Sequence, residues 1–297
     1  MKQNTYFLLF LFSFFAIKIN SHAQDASNAH TAIKTVISKA VDTTPKEHIG
    51  LEVKPVRLDF NLSKGEAVIQ TLNITNNFPF KMVFRAYTSD WLRDSVGVHQ
   101  YLKPGTLDRS CAKWISFENN SVEIAPKETK QIIVKMKMPN TDSAMAQMKW
   151  CLVFLESVKE NKIDKPSDSV RTSVNTIFRV GIHVLQTPPQ LKSDKKLEMI
   201  SFKSIANQRN NYQITCINKG ETQLECKGYL ELSSLADNTK KTVGPIMFPI
   251  FPDQKRLVNF SLPQDIPNGK YSILAVVDAN DDDVPLQASE ATVEIKQ

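Results

Sequence analysis

From residue 50 onward apolar and polar side chains alternate with a period of two, and turn residues break the pattern roughly every 8–12 positions, the local signature of short half-buried strands. GLEVKPVRLDFNL ends at a Lys64-Gly65 turn, and AVIQTLNITNN ends at Asn76-Asn77. KMVFRAYTSDW, KWISFE, SVEIAP and TKQIIVKMKMP follow, the last with Ile132, Val134 and Met136 on one face. MKWCLVFLES is apolar without a break. Residues 92–112, carrying Gly97 and Pro104-Gly105, and the polar stretch VKENKIDKPSDSVRT are expected to be irregular, the second as a solvated loop. RTSVNTIFRVGIHVLQTPP then places Val174, Thr176, Phe178, Val180, Ile182 and Val184 on one face of a single strand. At about eleven residues it is roughly twice the usual strand length. It stops at Pro188-Pro189, a stiff joint.

After that joint the rhythm restarts with KLEMISFKSI, NYQITCINKG, TQLECKGYLELSS, KRLVNFSLP, GKYSILAVVDAN and EATVEIKQ. LNITNN and ITCINKG fall in equivalent places, each an alternating strand closed by an asparagine turn. This weak internal repeat, with many short strands and almost no helix, predicts an all-β chain of two tandem immunoglobulin-like β-sandwich domains. The N-terminus reads differently. A lysine at position 2, an apolar stretch over residues 6–17, and Ser21 and Ala23 before Gln24 predict a cleaved signal peptide over 1–23. The stretch is too short to span a bilayer. Residues 24–47 are expected to be a flexible or short helical leader, with Ala32, Ile33, Val36, Ile37, Ala40 and Val41 at helical spacing. The domains are then 48–188 and 189–297.

Charge and candidate chemistry narrow the function. Loss of residues 1–23 removes Lys2 and Lys18, leaving 35 basic and 31 acidic residues, a mild net charge of +4. Without a basic block interleaved with aromatics, a nucleic-acid partner is not expected. No HExxH, GxSxG or phosphate-cradling glycine loop occurs, so no catalytic residue, small-molecule substrate or cofactor is expected. The acidic DANDDDVP at 278–285 lacks the glycine and the final glutamate of a calcium loop and reads as a hairpin turn, and no metal is expected. Trp91, Trp114 and Trp150 sit in apolar segments and are expected in the core. An exported chain allows disulfides Cys111–Cys151 and Cys216–Cys226; burial of the four as small hydrophobes is the other reading.

A polar loop, a long alternating strand and a proline joint in an exported chain resemble the PapD-like periplasmic pilus-assembly chaperones of the chaperone–usher pathway. VKPVRLDF…GEAVIQTLNITN is similar to that family's first two strands. VEIAPKETKQIIVKMKMP is similar to its L-x-P-G-E-x-x-x-V segment, with Lys127 in the glycine position, and VGIHVLQTPP resembles the end of its last first-domain strand. The resemblance implies a non-enzymatic chaperone in the periplasm. It would bind secreted pilin-like or surface subunits by strand addition and hand them to an outer-membrane usher. The implied subunit-binding residues are Val174, Thr176 and Phe178. The implied carboxylate clamp is Arg57 with His183, which stands where the family has lysine. Burying each Val- or Phe-sized side chain contributes roughly 1.5–3 kcal/mol against an association cost of roughly 4–15, so a main-chain ladder and a charge clamp must supply the rest. The alternative is an exported structural or adhesive immunoglobulin-like protein acting as a spacer or binding module.

Overall fold

The computed structural model describes residues 49–158, 161–164 and 173–296, with side chains described outside 161–164 and 173–176. The predicted signal peptide and leader lie outside the described residues. The described strands are β1 (Leu51–Lys54), β2 (Arg57–Phe60), β3 (Ala67–Asn76), β4 (Met82–Arg93), β5 (His99–Leu102), β6 (Ile115–Phe117), β7 (Ser121–Ile124), β8 (Thr129–Lys137), β9 (Lys149–Ser157), β10 (Asn161–Asp164), β11 (Ser173–Thr176) and β12 (Arg179–Gln186). Beyond a 3-10 turn at Pro189–Leu191 come β13 (Leu197–Ser204), β14 (Asn211–Asn218), β15 (Leu224–Ser234), β16 (Lys240–Ile250), β17 (Lys255–Ser261), β18 (Gly269–Asp278) and β19 (Gln287–Ile295).

The chain is all-β, as expected, and builds two sandwiches. In the first, the sheet β1-β3-β8-β6 faces the sheet β2-β12-β9-β4-β5, with β7 added beside β4. In the second, β13-β14-β17 faces β16-β15-β18-β19. The alternating residues do what their period requires. Leu72 and Ile74 of β3, Ile132, Val134 and Met136 of β8, and Ile182 and Val184 of β12 meet in one buried core. Ile214 and Cys216 of β14, Cys226, Leu230 and Leu232 of β15, and Ile273, Ala275 and Val277 of β18 form the other.

One strand departs from alternation for a physical reason. β9 is buried on both faces. Cys151, Val153 and Leu155 enter the first core, whereas Trp150, Leu152 and Phe154 point to the outer face, where Trp91, Met148, Leu185 and Phe251 cover them. Trp91 and Trp150 are therefore buried as expected, but against the second sandwich: the Phe251 ring lies 5.0 Å from Trp91 and 4.9 Å from Trp150. Trp114 packs at the edge of the first core. The same joint carries Arg109, whose guanidinium meets Glu221 Oε2 at 2.7 Å and Asp253 Oδ2 at 2.6 Å.

Three expectations are corrected. The span 92–112 contains β5, paired with the end of β4, so the segment is a long hairpin rather than wholly irregular. The polar loop contains β10, which pairs with β11 through a main-chain ladder; with Ile163 its single apolar residue, β10 shows no period-two alternation in the sequence. The predicted long strand is consequently two, β11 and β12, separated at Ile177-Phe178. β16 was hidden by Gly244, Pro245 and Pro249; it is an edge strand, where a missing N–H is tolerated.

Candidate functional site at an open strand edge and the inter-sandwich crevice

The first strand divides between the two sheets. β1 pairs with β3; after Pro55 and Val56 the chain crosses, and β2 pairs parallel to β12, with Arg57 opposite His183 and Phe60 opposite Gln186. Gln186 is fully buried and fixes this end by exchanging two 3.0 Å hydrogen bonds with the Leu62 backbone. β12 is thus bordered by β9 along its whole length, from Arg179 to Gln186, but by β2 only from His183 onward. Over Arg179–Ile182 no described strand covers its other edge.

The orientation of that edge follows from its neighbours. The Phe178 carbonyl accepts from Ser157 N–H on the β9 side, and His183 N–H donates to Val56 O on the other. By alternation the Arg179 and Gly181 peptide groups face outward. A groove of about 550 Å³ runs beside them, lined mainly by Ile49, Leu51, Val53, Val56 and Val180, with Glu52 and Asn77 as its polar members. Ile49 and Val56 are each 69% exposed. Its far side is β1, itself an edge strand.

Of the expected subunit-binding residues, Phe178 sits at the top of the groove-bearing strand. Its ring is partly buried against the first core, 4.7 Å from Phe78. Val180 is likewise half-buried, while Ile182 and Val184 are sealed. Val174 and Thr176 lie in β11, and their side chains are outside the described residues.

At the lower end of the edge, β2 and β12 deliver Arg57 and His183 side by side to a crevice of about 330 Å³ between the sandwiches. Arg93, Gln223, Glu225 and Phe251 also line it, beside the apolar Val56, Leu185 and Pro249. Arg57 Nε meets Asp59 Oδ2 at 2.9 Å, and its Nη1 meets Glu225 Oε1 at 3.4 Å. Both carboxylates are about half-exposed, so these pairs are weak and exchangeable. Burial first, then the neighbouring His99, Arg93 and Arg57, push the His183 pKa down to about 4. Its imidazole is therefore neutral near pH 7 and packs edge-on against Trp91 at 4.7 Å.

Sequence reasoning missed Arg93. It comes from the end of β4 and lies over Trp91, with Cζ 5.6 Å from the ring centroid. Its Nη2 donates to His99 Nε2 at 2.9 Å, and its Nε is buried without a partner. Among the described residues no carboxylate lies within 4.0 Å of it. Burial, followed by the nearby Arg256, lowers its pKa. Arg256 is itself half-buried with Nε and Nη1 unpartnered. Its guanidinium occupies the space a side chain at Gly97 would need, and Gly97 holds a φ of +101° in the β4–β5 turn. The only signal in the sequence was a charged residue ending an apolar strand, SDWLRDS, which marks many solvated turns equally well.

No protein-family model matches the chain, and no curated protein matches it. Among solved structures, the chain is similar to one described as the chaperone–tip adhesion subunit pre-assembly complex CsuC–CsuE of the archaic chaperone–usher Csu pili of Acinetobacter baumannii. Identity is 10%, the match covers 83% of this chain and 98% of that one, and the TM-score is 0.44. It is similar to the Pseudomonas aeruginosa CupB2 chaperone at 14% identity, covering 80% and 98%, with a TM-score of 0.40. It is also similar to the E. coli chaperone DraB at 11% identity, covering 84% and 98%, with a TM-score of 0.42. At such values the likeness carries no functional argument, which rests on the open edge and the crevice themselves.

Proposed function

We propose that this chain is a non-enzymatic periplasmic chaperone of the PapD-like type. It binds secreted fimbrial, pilus or surface subunits by adding strand edge to an incomplete subunit sheet. The observation that carries the reading is the edge of β12 over Arg179–Ile182, which no second described strand borders, which begins where β1 has left for the opposite sheet and which ends at Arg57. An unpaired edge with an apolar groove beside it is a template for a foreign strand. Val174, Thr176 and Phe178 extend that template upward, and Val180 continues it into the groove. The subunit's C-terminal carboxylate then enters the crevice. Arg57 offers a planar fork to it, displacing Glu225. The second positive charge comes from Arg93, because His183 is neutral at the pH of function. His183 shapes the site and Arg93 charges it. An outer-membrane usher is the corresponding partner in this reading.

The test is co-purification of the mature protein with periplasmic extract, followed by identification of what is retained. Retained proteins should be sandwich subunits lacking a strand. Phe178→Glu, Arg57→Ala and Arg93→Ala should each lower retention at least about tenfold, the scale of a lost charged hydrogen bond or buried anchor. Unchanged retention in all three would overturn the reading. Phe178 packing on Phe78 favours the second reading, an exported structural or adhesive module that closes its own sandwich. Stable incorporation into outer membrane or extracellular fibres, with no soluble periplasmic pool, would establish that one instead.

A further inference from the structure

Two thiols meet where the β4–β5 hairpin returns to the sheet. Cys111 and Cys151 are both 0% exposed, and their Sγ atoms are 3.5 Å apart. Cys151 belongs to β9. Cys111 ends the loop that Asp90 organises, through Thr106 N–H, Leu107 N–H and the Ser110 hydroxyl. The Cys111 region is also pinned to β9 by main-chain bonds, Trp150 N–H to Arg109 O at 2.8 Å and Cys111 N–H to Trp150 O at 3.4 Å. Backbones tied together by these bonds, with sulfurs 3.5 Å apart, place the pair within reach of a bonded S–S length near 2.05 Å. The other two cysteines differ. Cys216 and Cys226 lie on opposite sheets of the second core, and no sulfur–sulfur hydrogen bond joins them among the described residues.

We infer that Cys111 and Cys151 are a disulfide site, and that the bond staples the loop bearing Arg109 to β9, bracing the joint between the sandwiches. Arg109 lies two residues before Cys111 and is the residue that grips Glu221 and Asp253 on the second sandwich. The oxidant is an external disulfide of the thiol–disulfide exchange class. The thiolate of one cysteine attacks it, forming a mixed disulfide and releasing one thiol. The second thiolate displaces the remaining thiol and forms the Cys111–Cys151 bond. Two protein thiols are oxidised, and one external disulfide is reduced to two thiols. Burial, then contact with Cys111, holds the Cys151 thiol in its protonated form once folding is complete. The bond therefore forms while the loop is still open, and it is protected afterwards.

The test is to refold the full chain with oxidised glutathione, alkylate it in denaturant without reductant, and digest it. Cys216 and Cys226 should be alkylated, and Cys111 and Cys151 should appear as one linked peptide pair that separates on reduction. Alkylation of all four, or any other pairing, overturns the site. Cys111→Ser should render Cys151 alkylatable and leave the other two unchanged; a Cys151 that stays blocked also overturns it. For the brace, reduction should raise amide hydrogen exchange over residues 103–110 at least about tenfold, as expected when a local opening becomes cheaper. Exchange that does not respond to reduction overturns that role.

Discussion

Asn76 and Asn218 make the same three side-chain hydrogen bonds in the two sandwiches. Each Nδ2 donates to the carbonyl four residues on, Phe80 O at 2.9 Å and Thr222 O at 2.8 Å, and to a carbonyl of another segment, Ile124 O at 3.0 Å and Ile250 O at 3.1 Å. Each Oδ1 accepts from the N–H two residues on, that of Phe78 or Gly220. The main chain repeats as well: Lys127 N–H donates to Asn76 O and Asp253 N–H to Asn218 O. Lys127 and Asp253 follow Pro126 and Pro252 and share a left-handed φ, 63° and 62°. The repeat sensed in LNITNN and ITCINKG is thus one structural device used twice, a buried amide closing the turn after β3 and β14.

Replacing either asparagine strands three backbone groups, two through buried bonds and one through a part-buried bond. Asn76→Ala and Asn218→Ala should each destabilise by about 2–4 kcal/mol. Urea unfolding measures it, with hydrogen exchange assigning the loss to the sandwich that carries the change. A loss under about 1 kcal/mol for both would show that water or a rearranged turn replaces the amide.

Asp90 is fully buried and accepts from Thr106 N–H at 2.7 Å and Leu107 N–H at 2.8 Å. Asp90→Ala should cost about 3 kcal/mol and loosen the 103–110 loop ahead of the rest of the chain. Asp90→Asn keeps one acceptor oxygen and should recover about half. Proteolysis of the native protein, with the first cleavage mapped, reports the order of opening; a first cut elsewhere in both variants contradicts it.

His183 makes stability depend on pH. Its pKa is lowered from an ordinary 6.5 to about 4, so between those values the unfolded chain takes up a proton that the folded chain refuses. Stability is therefore fully present above pH 6.5 and falls as pH drops towards 4, by about 1–2 kcal/mol once its partial exposure is allowed for. His99, whose pKa is lowered first by burial and then by Arg93 and Arg256, adds loss in the same direction. His183→Gln should flatten that part of the pH profile. An unchanged slope in urea melts between pH 4 and 6.5 would refute the assignment.

The Arg109 side chain is 15% exposed and Glu221 28%, and the pair is bidentate, with Nη1–Oε2 at 2.7 Å and Nη2–Oε1 at 3.1 Å. A double-mutant cycle of Arg109→Ala and Glu221→Ala should give a coupling of about 1–2 kcal/mol. X-ray scattering of Arg109→Ala should show a broadened distribution of interdomain distances. Additive effects with an unchanged scattering curve would assign the joint to Phe251 and the two tryptophans alone.

Local rules carried most of the fold. Alternation fixes which residues of β3, β8, β14 and β18 face inward, since period two is a property of the backbone and needs no partner. The same rule missed β10, whose single apolar residue, Ile163, sets no alternation, and β16, whose Gly244, Pro245 and Pro249 imitate a turn. For the candidate site, Arg57 and His183 were named only through the resemblance to the pilus-assembly chaperones, and the structure sets them opposite each other on β2 and β12. Arg93 was not named, because its meaning depends on Trp91 and His99 of its own hairpin meeting Arg256, which comes from the second sandwich.

By itself the sequence determined the period, the placement of apolar faces and the lack of familiar catalytic motifs; all of these are nearest-neighbour facts about the chain. The tertiary structure alone decided that β1 and β2 join different sheets, leaving Arg179–Ile182 of β12 with no described strand on its second edge. It also decided that Trp91 and Trp150 seal a joint, and that Arg93 comes to rest with no carboxylate of the described residues within 4.0 Å. Pairing, coverage and charge balance depend on segments far apart in the chain, and those meet only when the sandwiches close.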